Sequence, residues 1–186
     1  MTGSRPRRDA ARNRERLIQA AREVFRAQGA DAPLEEIAAG AGVSRTTLHR
    51  HFASREELAT AVLDQNVADI EAYALELAAE ADAAERLFHY LLDVQLESPW
   101  LARIVTEHAT SWAGLTARTA AALAPLVEQA RRGGRARPDV TTEDILLALP
   151  MALAVQIAST HKGEPLRADR GRELLHRALF VTAPPR

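Results

Sequence analysis

Residues 34–52 read LEEIAAGAGVSRTTLHRHF, and this stretch decides the fold. Two short apolar-patterned segments meet at a glycine. Helices that cross closely need a small side chain at the crossing, and Ala38 supplies it. A sharp turn between them needs a positive φ angle, which Gly42 adopts without steric cost. Leu34, Ile37, Val43, Leu48 and Phe52 are then left to fill the small core between the two helices. Ser44 stands where the second helix must begin, with a hydroxyl suited to its free first-turn amides. An Ala38–Gly42–Leu48 spacing framed by a serine cap is the pattern of a helix-turn-helix.

The sequence on either side supports this reading. Upstream, Leu17, Ala21, Val24 and Phe25 fall on one face of a helix expected over Ala11 to Gln28, with Gly29 as its left-handed terminator. Pro33 suits the first turn of the second helix, with Asp31 just before it. Downstream, Ser54-Arg55-Glu56-Glu57 reads as a capping box. It opens a fourth helix to about Ala79, with Leu58, Val62, Ile70 and Leu77 apolar. Further helices are expected over Ala83 to Glu97, Trp100 to Thr110, a stretch ending at Arg132 with Pro125 inside it, and Ala168 to Phe180. Gly133-Gly134 ends the third of these, and Thr141 or Thr142 caps the helix that follows the loop to Pro138. No run alternates apolar and polar residues with period two, so no strand is expected. The fold class is all-α: an N-terminal three-helix bundle with a helix-turn-helix, followed by a larger helical region. The expected division is a flexible basic arm at 1–10, the helix-turn-helix domain at 11–53, the larger helical region at 54–182 and a tail at 183–186.

Charge divides the same way. Residues 1–60 hold 11 arginines against 8 carboxylates, a net +3, whereas the remainder carries 13 basic and 17 acidic groups, a net −4. A basic front on an acidic body suits a polyanion that meets the front alone. The second helix of a helix-turn-helix enters the DNA major groove with its N-terminal residues toward the base edges. Ser44, Arg45, Thr46, Thr47, His49 and Arg50 cannot all be core, and they supply that chemistry. Arg45 has the fork that reads guanine, while Thr46 or Thr47 suits a thymine methyl or a phosphate. His49, Arg50 and Arg55 fit contacts that position the DNA backbone. Arg12, Arg14 and Arg16 open the first helix and can face phosphate.

On these residues, above all VSRTTLHRHF at 43–52 and ASREEL at 53–58, the sequence resembles the tetracycline-repressor (TetR) family over about Arg14 to Leu63. The resemblance implies an all-α homodimer. Three helices bind DNA, and a fourth links them to a variable ligand-binding region. Bound small molecules then release a repressor from its operator. The family usually has tyrosine, a phosphate contact, where this chain has His49. A histidine there still donates to phosphate, through a contact that is weaker or sensitive to pH. Arginine at Arg55 preserves the charge of the family's common lysine.

Ile145 to Ala158 reads ILLALPMALAVQIA, with Gln156 its one polar side chain. Such a helix must be covered on several faces, and 14 residues is short for a bilayer span. With Leu174, Leu175, Ala178 and Leu179 of the last helix it suits a four-helix interface between two copies. The alternative is that both helices belong to one monomer's core. Two copies would read a near-palindromic operator in double-stranded DNA with recognition helices about one helical turn apart. Tyr90, Trp100, His108 and Trp112 combine apolar bulk with a polar handle, as a pocket for a small lipophilic effector needs. Glu107, His89 and Gln156 are further options.

The six histidines lack metal-ligand spacing, and neither a nucleophile elbow nor a phosphate-binding glycine loop occurs. No enzyme activity, catalytic residue, metal or cofactor is therefore expected. With no cysteine, an N-terminus lacking the apolar core of a signal peptide and no 18-residue apolar run, the expected compartment is the cytoplasm, away from the membrane. Two rival readings are a regulator without a small-molecule ligand and a helical interaction protein that uses the helix-turn-helix as a scaffold.

Overall fold

The computed structural model describes residues 5–29, 31–96, 113–162 and 166–181. Helices account for most of the described residues. Among the described residues there are eight: α1 (Arg5–Gln28), α2 (Leu34–Gly40), α3 (Arg45–His51), α4 (Arg55–Leu77), α5 (Ala83–Leu96), α6 (Ala113–Arg132), α7 (Thr142–Lys162) and α8 (Leu166–Leu179). Helix α1 starts at Arg5 rather than Ala11, so residues 5–10 of the expected flexible arm are helical. The reason is local. Pro6 falls in the first turn, where a missing N–H costs no hydrogen bond, and no glycine or proline follows before Gly29. The helix expected over Trp100 to Thr110 and the tail at 183–186 lie outside the described residues.

The chain divides into two compact units, Met1–Asn66 and Val67–Arg186, and the division falls inside α4 rather than before it. In the first unit Leu17, Ala21 and Phe25 of α1, Ile37 of α2, Leu48 of α3, and Leu58 and Val62 of α4 are all buried. The second unit has its own core. It draws Ile70, Ala74 and Leu77 from the second half of α4, Leu87, Phe88 and Leu92 from α5, Leu123 and Leu126 from α6, Ile145 and Ala148 from α7, and Leu179 from α8.

Polar detail fixes the ends of the second unit's helices. Helix α6 closes in a left-handed turn at Gly134 (φ +70°), where the Gly134 N–H donates to the Arg131 carbonyl (3.1 Å) and the Arg135 N–H to Ala130 (2.8 Å). Helix α7 opens on a reciprocal cap. The Asp144 N–H donates to Thr141 Oγ1 (3.2 Å), and the Thr141 N–H donates back to the Asp144 carboxylate (2.8 Å). The Thr141 hydroxyl (2.7 Å), and then its N–H, donate to the Asp144 carboxylate and hold that carboxyl below its usual pKa. The loop between α6 and α7 is tied to the end of α8 by an isolated bridge between Ala136 and Phe180. Glu85, buried at the start of α5, takes a hydrogen bond from Arg135 of that loop (2.9 Å). A carboxylate at that depth needs such a partner. Helices α6 and α7 run through Pro125 and Pro150, and each proline deletes one helical hydrogen bond.

Helix α7 has two apolar faces with different fates. Ile145, Ala148, Ala152 and Leu153 are buried in the second unit, whereas Leu147 (61% exposed), Met151 (52%), Val155 (37%) and Ile157 (47%) are not. Helix α8 crosses close to it, since a Cβ on Gly171 would stand 3.1 Å from Val155 Cγ1. Leu174 of α8 is also exposed.

Candidate nucleic-acid interface

The interface begins with the turn. Gly42 takes φ +62°, and its N–H donates to the Ala39 carbonyl (2.9 Å) while the Val43 N–H donates to Ala38 (3.0 Å). These two bonds satisfy the last carbonyls of α2 and reverse the chain within a few residues. Ser44 then lies in extended conformation and accepts the Thr47 N–H on its hydroxyl (3.1 Å). The same hydroxyl lies 2.9 Å from Thr47 Oγ1. Ile37, Ala38, Leu48 and Phe52 are buried around this turn, whereas Leu34 and Val43 are half-buried at its rim.

Burial of Leu48 sets the direction of everything else on α3. In so short a helix one inward residue turns its neighbours on the far side outward. Arg45, Thr46, His49 and Arg50 are accordingly exposed, and Thr47 is half-buried against Ser44. Helix α4 opens with the Glu57 N–H donating to Ser54 Oγ (3.2 Å), while the Glu57 carboxylate reaches back to the Ala53 N–H (2.7 Å) rather than to Ser54. Arg55 is half-buried, and its guanidinium donates to the Ala32 carbonyl between α1 and α2. It therefore joins the α4 start to the rest of the first unit as well as carrying charge.

Three further charged groups border the exposed face. The Arg14 guanidinium lies 5.2 Å above the Phe52 ring, a cation–π contact. Arg16 extends its guanidinium to the Gly42 turn. Glu35, in the first turn of α2, forms an ion pair with Arg45, whose Nε also donates to His49 Nε2 at 3.4 Å. Arg14 and Arg16 were legible as basic residues opening the first helix, but their partners were not, and Glu35 carried no signal beyond its charge. Contacts between helices leave no mark on the periodicity of either.

The expected effector residues fare unevenly. Tyr90 is half-buried in the second unit with its ring 4.8 Å from that of Tyr73, whose hydroxyl lies 3.5 Å from the donor Arg86 Nη2. Trp100, His108 and Trp112, with Glu107, lie outside the described residues. Gln156 is half-buried on α7. His89 Nε2 lies 3.0 Å from Nδ1 of the buried His176. Burial, then His176 and Arg172, lower the His89 pKa to about 4. Arg118 donates two hydrogen bonds to Glu71 (2.8 and 2.6 Å), which hold that carboxyl below its usual pKa. Among the described residues no group of three or more histidines or carboxylates could hold a metal ion, and no helix is long and apolar enough to cross a membrane.

Comparison with known proteins follows the same outline. Residues 17–62 match the family described as bacterial regulatory proteins, tetR family. The HTH-type transcriptional regulator SrpR of Pseudomonas putida is 48% identical over 56 residues, 30% of this chain. The chain covers only 26% of that regulator's length. Likeness over the whole length comes from solved structures. The TetR transcriptional regulator SCO0520 from Streptomyces coelicolor is 28% identical with a TM-score of 0.70, covering 91% of this chain and 99% of its own. A TetR regulatory protein from Mycobacterium vanbaalenii is 29% identical with a TM-score of 0.68, covering 94% and 99%. With its buried Ala38, Gly42 turn and Ser44 cap, the helix-turn-helix is similar in sequence to the tetR family of bacterial regulatory proteins over residues 17–62, and the fold is similar to that of TetR regulators over most of the chain.

Proposed function

We propose that this protein is a sequence-specific DNA-binding transcriptional regulator, acting as a homodimer on a near-palindromic operator in the cytoplasm. The observation that carries the reading is the exposed face of α3, where Arg45, Thr46, His49 and Arg50 stand clear of the core on a helix whose inward anchor is Leu48. A scaffold used only for packing has no need of that basic, hydrogen-bonding surface. Arg45 is assigned to base reading, and Arg50 and His49 to phosphate positioning, with Thr46 between the two roles. Arg14 and Arg16 border the same surface and add phosphate contacts. The chemistry is recognition by charge and hydrogen bonding, with no catalytic step.

The homodimer is supported by the uncovered face of α7. Leu147, Met151 and Val155 recur every fourth residue and are all exposed, beside Leu174 of α8. Apolar side chains aligned on one stripe favour a self-complementary partner, which a two-fold contact provides. The repressor reading, with release by a small lipophilic effector in the second unit, rests on the resemblance to the TetR family. Tyr90 is the described residue assigned to that effector.

Titration of a labelled DNA duplex at several salt concentrations tests the reading. With about four phosphate contacts per protomer, log affinity should fall against log salt with a slope near −7 for the dimer. Affinity independent of salt would remove the phosphate contacts and the proposal with them.

A further inference from the structure

We infer that Glu35 is a specificity-determining residue that holds Arg45 away from DNA phosphates until a guanine displaces it. The inference rests on the DNA-binding reading above and adds to it a competitor built into the recognition surface. Arg45 is the first residue of α3, the position that reaches base edges in a helix-turn-helix. In the free protein its guanidinium is already engaged on two sides. One nitrogen is paired with the Glu35 carboxylate, and Nε donates to His49 across one turn of α3 at 3.4 Å. Glu35 comes from a different helix, so the pair spans the turn that joins α2 to α3.

The other first-turn carboxylate of α2, Glu36, is bonded to Gln28 of α1. Two adjacent acidic residues thus have different partners, one of them the recognition arginine. The Arg45 and Glu35 side chains are 63% and 55% exposed, so water and DNA both reach the pair. Exposed pairs are weak, enough to bias a choice of partner without locking the arginine.

The choice differs with the partner offered. A phosphate is one mobile anion among many and replaces a single carboxylate by a like charge. Guanine offers O6 and N7 in fixed geometry, which the planar fork meets with two parallel bonds. Glu35 therefore costs non-specific binding more than binding at a site with guanine under Arg45. Once displaced, its carboxylate repels nearby phosphates or accepts a hydrogen bond from a cytosine amino group.

The test compares Glu35→Gln with Glu36→Gln in the full chain. Each is titrated against a duplex enriched from a random pool by the wild type and against a scrambled duplex of equal length and composition. Glu35→Gln should tighten binding to the scrambled duplex about two- to fivefold per protomer, the range an exposed ion pair exerts. Its salt slope there should steepen by about one phosphate contact per protomer. Its affinity for the enriched duplex should change less, so discrimination falls. Glu36→Gln should shift both duplexes alike. On an Arg45→Ala background the effect of Glu35→Gln should shrink to that of Glu36→Gln. If Glu35→Gln shifts both duplexes by the factor seen for Glu36→Gln, or keeps its effect without Arg45, the inference is overturned while the DNA-binding reading stands. A wild type that binds neither duplex in a salt-dependent way instead overturns the reading beneath it.

Discussion

At Gly42 the main chain stands at φ +62°, a conformation L-residues with a side chain rarely adopt. The nearest atom to an added Cβ is the mobile end of Arg16, so backbone strain rather than crowding sets the cost there. Gly42→Ala should destabilise the first unit by about 1–2 kcal/mol, read as a fall in thermal midpoint with helicity otherwise retained. This residue, like Ala38 and Ser44, was legible in the sequence because its role is local and follows from the turn's own geometry. His89 was not. Its partner His176 lies 87 residues away on another helix, and no local pattern links them. Lowered to about 4 by burial, by His176 and by Arg172, His89 stays neutral in the fold while the unfolded chain takes up a proton near the ordinary histidine value of about 6.5. Between those values the unfolded state binds more protons, so stability is fully present above about 6.5 and is lost as pH falls toward 4. Denaturant melts of the wild type between pH 7 and 5 should show that loss, and His89→Gln should flatten it. An equally steep fall in the variant would place the effect elsewhere.

Among the elements, the helix ends agree closely with what caps and glycines dictate. Helices α3, α4 and α7 each open on a serine or threonine hydroxyl that accepts a first-turn amide. Helix α1 departed from expectation because basic composition suggested an arm, whereas helix formation depends on the absence of breakers over a long run. Helix α7 is the more instructive case. Its all-round apolarity was plain, but which side meets the monomer's core depends on neighbours distant in sequence. The structure assigns Ile145, Ala148 and Ala152 inward and leaves Leu147 and Met151 uncovered, with Val155 37% exposed beside Gly171 of α8. Met151→Glu places a charge in the middle of that uncovered stripe. It should convert the proposed dimer to a folded monomer in sedimentation velocity, with helicity unchanged. Affinity for a near-palindromic duplex should drop at least about tenfold, because each protomer then binds one half-site alone. A variant that still sediments as a dimer would remove this face from the interface.

For the molecule as a whole, the legible part was the part with short-range logic. The helix-turn-helix and the basic front follow from spacing, caps and charge within residues 1–60, and the all-α class from helical patterning along the rest. The groups around the recognition face were less legible, because Arg14 over Phe52 and Glu35 against Arg45 are contacts between elements. In the second unit, Glu85 with Arg135 and His89 with His176 are invisible to periodicity for the same reason. The proposed recognition chemistry therefore rests on the first unit, and it is tested most directly at Arg45. The decisive measurement is the ratio of affinities for an enriched and a scrambled duplex, taken at one salt concentration for wild type and Arg45→Ala. Loss of a bidentate guanine contact costs about 1–3 kcal/mol, so the ratio should fall by roughly 5- to 150-fold per half-site. An unchanged ratio, with both duplexes weakened alike, would contradict base reading by Arg45 and leave it a phosphate contact only.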